Sequence, residues 1–149
     1  MTRRFTAPVA VHLLMFRGEE VLLLRRRNTG YEDGNYSVPA GHLDGGETVK
    51  EAAVREAREE VGVRIDPEDV SLVHVMHRRE GKEERIDFFA EVRRWEGEVV
   101  NKEPEKCDDL RWSGSDDLPE NVIPYIRRAL ECHRKGIWFD SFGFDGQAK

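Results

Sequence analysis

Residues 41–63 constrain the fold more tightly than any other part of the chain. They read GHLDGGETVKEAAVREAREEVGV, a glycine-rich loop running into a stretch without Gly or Pro. Thr48 stands where an N-cap belongs, and Glu51 three residues later completes a capping box. Gly62 follows the last apolar residue, the place of a C-cap glycine. Loop, helix and stop are therefore dictated locally. On that helix Glu56, Glu59 and Glu60 fall at i, i+3 and i+4 and share one face. Like charges at this spacing cost roughly 0.2–0.5 kcal/mol per pair, and the helix C-terminus further disfavours anions. Glu-rich helices are commonly solvated faces, yet a purely structural helix has no need of this arrangement. A hard divalent cation accounts for it, because Mg2+ takes oxygen ligands and usually arrives with a phosphate substrate.

The glutamates do not stand alone. Gly41, Glu47, Arg55, Glu56, Ala57, Glu59, Glu60, Gly62 and Val63 fit the pattern G-x5-E-x7-R-E-U-x-E-E-x-G-U, with U apolar, at every fixed position. The chain thereby resembles the Nudix hydrolases, which cleave a nucleoside diphosphate linked to another group X. The resemblance implies an α/β/α sandwich, a mixed sheet between helices, with residues 1–149 forming one domain. It implies that Glu56, Glu59, Glu60 and Glu103, with the Gly41 carbonyl, hold Mg2+ or Mn2+. Glu56 or Glu59 would serve as general base, while Arg55 and Glu47 orient the cluster by charge-assisted hydrogen bonds. Water would then attack phosphorus, at the β-position in the triphosphatases of the family, releasing a nucleoside monophosphate and pyrophosphate.

Other segments narrow the substrate by the same resemblance. Lys102-Glu103 after Arg94-Trp95-Glu96-Gly97-Glu98 looks like the corresponding part of MutT-type nucleoside triphosphate pyrophosphohydrolases. The stretch from Pro104 to Trp112 is similar to the nucleotide-sanitising members and nominates Asp108 and Asp109 to face a purine; both could equally cap a turn. Arg25 or Arg26 either ends a strand in solvent or reaches phosphate, a role that suits a bidentate guanidinium. Residues 36–41 depart from the usual aromatic-x-apolar-Pro-Gly-Gly in having Ala40 for the first glycine. ADP-ribose hydrolases carry a proline where this chain has His77-Arg78-Arg79, and no tyrosine of the dinucleoside polyphosphate type lies between Tyr36 and Tyr125. These features favour a normal or modified nucleoside triphosphate. The alternatives are a nucleotide sugar, a dinucleoside polyphosphate, or a Nudix regulator that binds a nucleotide without cleaving it.

The net charge of -6 argues against a sequence-independent nucleic-acid surface, which needs a basic stripe. A bound cation reconciles an acidic chain with a polyanionic substrate. Cys107 and Cys132 suggest reduced, structural thiols rather than a disulfide framework. The apolar run 9–16 is too short to span a bilayer, and a cytoplasmic monomer or homodimer is expected. In chain order, 9–16 and 20–26 predict a hairpin, with 9–16 buried on both faces. The polar loop 28–35 predicts a pocket rim, and 70–77 and 85–92 predict strands joined by a charged turn over 78–84. His74 and His77 point to opposite faces of their strand, which disfavours a shared metal. Trp112 reads as core or pocket wall, and a second helix is predicted from 118 to 136, with Val122, Ile126, Ala129, Leu130 and His133 on its apolar stripe. The aromatic tail 137–144 either covers its own domain or meets a partner subunit, and 147–149 is expected to be disordered.

Overall fold

A computed structural model describes residues 3–144; the expectation for 147–149 lies outside them. Strand β1 (Val9–Arg17) is the spine of a mixed sheet. It turns at Gly18 into β2 (Glu20–Arg26), and the short β3 (Tyr36–Ser37) and β4 (Ala40–His42) lead into helix α1 (Val49–Val61). A 3-10 turn at Pro67–Asp69 then precedes β5 (Val70–Glu80), which pairs with β6 (Glu83–Val92). β7 (Cys107–Gly114), helix α2 (Pro124–Lys135) and β8 (Phe139–Phe142) complete the chain. The order across the sheet is β3-β2-β1-β6-β5-β8, with β4 also paired to β1 and β7 to β2.

β1 explains this layout. Its end pairs with β2 at Phe16 and Arg17, whereas its start pairs with β4 through Ala10, Val11 and His12. From Val9 to Met15 it runs parallel to β6. Side chains alternate across a strand, so Val11, Leu13 and Met15 meet Ala52, Ala53, Ala57 and Val61 of α1 on one face. Leu14 and Phe16 meet Met76, Phe89, Ile126, Ala129 and Leu130 on the other. A strand buried on both faces reads as a continuous apolar run, as 9–16 does. The result is the helix–sheet–helix sandwich that the sequence implied.

Two local expectations are corrected. β5 and β6 continue through most of 78–84, leaving the turn only at Gly81 and Lys82, because Arg78 and Arg79 pair with Arg85 and Glu84. α2 begins at Pro124, which has its fixed φ at the first turn, and Val122 instead bridges Tyr36. The tail is a strand: β8 lies parallel to β5, with Phe142 buried but Trp138 72% exposed. β8 is pinned from below. His74 donates from Nδ1 to the Ile137 carbonyl (2.9 Å), its Nε2 meets Asp140 (2.9 Å), and Arg128 donates to the same carboxylate (2.9 Å). Cys107 and Cys132 are both free and buried.

Candidate active site

The capped helix forms as its sequence demands. Thr48 accepts from the Glu51 amide (3.1 Å), the Glu51 carboxylate accepts from the Thr48 amide (2.8 Å), and Gly62 closes the helix at φ 72°. The helix end then recruits a distant segment: the Val100 amide donates to the Val61 carbonyl (3.0 Å) and the Lys102 amide to that of Glu60 (3.1 Å). Carbonyls orphaned at a helix terminus need donors, and supplying them from 100–102 delivers Glu103 beside Glu60. Glu103 is fixed in turn, since its carbonyl accepts from the Lys106 and Cys107 amides at 2.9 Å each.

Arg55 clamps the other side. Its Nε and Nη2 grip Glu47 (3.1 and 2.7 Å), Nη1 donates to Glu56 (2.7 Å) and approaches Glu59 (3.4 Å), and Nη2 reaches the His42 carbonyl (3.3 Å). The hydrogen bonds from Arg55 hold the Glu47 carboxyl below its ordinary range. Glu60 behaves oppositely. Burial first, then the adjacent Glu56 and Glu103 carboxylates, push it well above the usual carboxylate range. A cation seated there would replace the shared proton as the compensating charge.

Gly41 is the close approach in this site. A Cβ at Gly41 would fall inside the Glu56 carboxylate, so only glycine lets Glu56 lie against the loop. We expect Gly41→Ala to displace Glu56 and lower kcat on the order of 100-fold, the typical penalty for a misplacement of about 1 Å. Steady-state kinetics beside a thermal melt would check this, and full activity would contradict the packing.

The oxygen-only donor set Gly41, Glu56, Glu59, Glu60 and Glu103 fits a hard divalent cation. Among the described residues, the group of three His, Cys, Asp or Glu side chains whose donor atoms all lie within 4.8 Å of one another is His74, Cys132 and Asp140; the glutamates of this set stand further apart. There Arg128 already neutralises Asp140, and the group serves to anchor β8.

A cavity of about 700 Å3 opens from Gly41, Glu60 and Glu103 across the sheet to Arg78, Arg85 and Asp87. Asn28, Thr29 and Tyr31 of the 28–35 loop form part of its rim, and Arg26 lines it, held by the Tyr31 carbonyl (2.7 Å). Arg25, Asp108 and Asp109 are not brought to this cavity. Arg25 pairs with Asp108 (2.7 Å), and Asp109 accepts from the Tyr36 hydroxyl (2.5 Å). The β7 register against β2 shifts here, between Arg25 and Arg26, and Cys107 and Leu110, not the two aspartates, line the cavity. Trp112 stacks on Trp95 beside the α1 core.

The far wall was not anticipated from the sequence. Asp87 is wholly buried between His12 Nε2 (3.1 Å) and Arg78 Nε (2.7 Å), and Arg78 lies 3.6 Å over the Tyr125 ring. Burial alone would raise Asp87, but the hydrogen bonds and charges of His12 and Arg78 outweigh it and hold the carboxyl at about 2. One signal was present: an Asp set among Ile86, Phe88 and Phe89 faces opposite to the apolar stripe Ile86, Phe88, Ala90 and Val92.

The NUDIX domain family model matches residues 6–131, and the chain belongs to that family. The 8-oxo-dGTP diphosphatase of Escherichia coli (strain K12) is 32% identical over 125 residues, covering 80% of this chain and 95% of that protein. The NAD-capped RNA hydrolase NudC of Stutzerimonas stutzeri (strain A1501) is 36% identical over 135 residues, covering 83% of this chain but 44% of NudC. The chain thus spans less than half the length of that relative. In structure it is similar to a MutT NUDIX hydrolase from Burkholderia pseudomallei, with a TM-score of 0.78 at 27% identity over 85% of this chain and 98% of the other. No helix among the described residues is long and apolar enough to cross a membrane.

Proposed function

We propose that the chain, acting as one domain, is a metal-dependent pyrophosphohydrolase that cleaves a normal or modified nucleoside triphosphate to monophosphate and pyrophosphate. The observation that carries this reading is the half-buried Glu60 carboxylate, held beside Glu56 and Glu103 and lining a cavity large enough for a nucleotide. Gly41, Glu56, Glu59, Glu60 and Glu103 would hold Mg2+ or Mn2+, which when bound supplies positive charge for diphosphate oxygens and Lewis acidity toward water. The chain's own residues do the rest. Arg55 fixes Glu56 and Glu59, each the candidate to take the proton from attacking water. Arg26, which lines the cavity, would meet phosphate oxygens bidentately.

The likeness over 95% of the E. coli 8-oxo-dGTP diphosphatase favours a triphosphate, an oxidised one included. The higher identity to NudC supports a second reading, cleavage of the diphosphate within an NAD-type dinucleotide or a cap carrying one. A panel of normal and oxidised nucleoside triphosphates, nucleotide sugars, ADP-ribose and dinucleotides, assayed with Mg2+ and with products identified, separates them. Monophosphate plus pyrophosphate is the expected outcome, and two monophosphates from a dinucleotide would install the second reading.

A further inference from the structure

Four members of the oxygen donor set come from elements with a fixed backbone: Gly41 from β4, and Glu56, Glu59 and Glu60 from α1. Glu103 does not. It lies in the connection between β6 and β7, outside the named strands and helices. Loop backbone is free to wander unless it is tied down, and a metal ligand must be held within a fraction of an ångström. The α1 terminus holds this connection through the Val100 and Lys102 amides, which carries the chain only as far as Lys102.

Asn101 takes over there. It is half-buried and lines the cavity together with Glu103. Its Oδ1 accepts from the Glu103 amide (2.9 Å), an Asx turn to the residue two places on. Its Nδ2 donates to the Cys107 carbonyl (2.7 Å). One planar amide thereby ties the Glu103 backbone to the first residue of β7. The far side of the loop is fastened as well, because the Lys106 carbonyl accepts from the Arg27 amide (2.9 Å) just beyond β2.

The residue type follows from those two bonds. One partner is an N–H and the other a carbonyl, so the side chain must accept at one atom and donate at the other. An ionised aspartate only accepts, and a lysine only donates. An amide does both and adds no charge beside a set of carboxylates. Both ends of the Asn101 amide are engaged within the loop, so its part is to hold the chain that carries a ligand. Groups behind a metal ligand that fix its orientation are worth a large share of the metal affinity.

We infer that Asn101 is a positioning residue: by holding the 101–107 loop closed it keeps the Glu103 carboxylate beside Glu60, where both serve one divalent cation. This rests on the metal reading above but not on turnover. The test is calorimetric titration of the metal-free protein with Mn2+, in a double-mutant cycle of Asn101→Ala and Glu103→Gln, with a thermal melt of each variant. Glu103→Gln is expected to weaken Mn2+ binding. Asn101→Ala alone should weaken it about tenfold, the lower end for a residue behind a ligand. In the Glu103→Gln background it should change binding by less than about twofold, because the two act as one unit. A residue that only stabilised the loop would act equally in both backgrounds. Asn101→Ser, whose hydroxyl can still accept from the amide two places on, should recover part of the loss. It also carries the cycle if Asn101→Ala does not fold. Mn2+ affinity that Asn101→Ala leaves unchanged, or lowers equally with and without the Glu103 carboxylate, would overturn the inference. Affinity untouched by Glu103→Gln would instead remove Glu103 from the metal reading, and the inference with it. The expected cycle without triphosphate turnover would overturn the pyrophosphohydrolase reading and leave the role of Asn101 standing.

Discussion

Glu60→Gln is expected to lower kcat by more than about 100-fold while leaving the fold intact or stabilising it. Changing a mere neighbour of a metal ligand typically costs about 10–100-fold, and removing a ligand itself should cost more. The stability half follows from the direction of the Glu60 shift. Its folded-state proton affinity is raised, by burial first and then by Glu56 and Glu103. A carboxyl shifted upward favours the folded state while protonated and penalises it as pH rises above the unfolded value. At pH 8 without metal, the wild type bears that penalty and the glutamine variant does not. Thermal melts in EDTA at pH 8 should therefore place Glu60→Gln at or above wild type. A variant with wild-type turnover, or one that melts well below wild type, would contradict the assignment of Glu60 as a strained ligand. Such an exchange of stability for function is common at active sites.

The second large effect is structural. Asp87→Asn should destabilise the protein by about 3–5 kcal/mol, the usual cost of breaking a buried ion pair and stranding its partner. Here the stranded groups are Arg78, which keeps only Glu80 and the Tyr125 face, and His12. The wild type should also show an acid limb of known sign. Asp87 has a folded value of about 2, below the roughly 3.9 of an unfolded aspartate. Its contribution is fully present above the unfolded value and is lost as pH falls from there toward 2. It amounts to on the order of 2 kcal/mol. Urea unfolding at pH 7 and pH 3 should show Asp87→Asn losing its deficit partly at the lower pH. Equal stability of variant and wild type at pH 7 would contradict the ion-pair account.

What could be read from the sequence divides by range. The 41–63 loop and helix were readable because their determinants are local: Thr48 with Glu51, Gly62 at φ 72°, and the i, i+3, i+4 carboxylates. The sandwich came from the resemblance to the Nudix hydrolases, while the apolar run of β1 pointed only to a strand buried on both faces. The far wall of the cavity was not, since His12 meets Asp87 across 75 residues and only the parallel β1–β6 register brings them together. Asp108 and Asp109 show the converse. Their neighbourhood resembled a base-reading segment, yet Arg25 and Tyr36 take up their carboxylates outside the cavity. The tail posed a choice between self and partner, and β8 settles part of it: Phe142 is buried on the chain's own sheet.

The products formed from a nucleoside triphosphate test the proposed function most directly. Phosphorus NMR of that reaction, run with Mg2+ and repeated in EDTA, should show monophosphate and pyrophosphate appearing together and only with metal. Diphosphate with orthophosphate, or turnover that persists in EDTA, would contradict it.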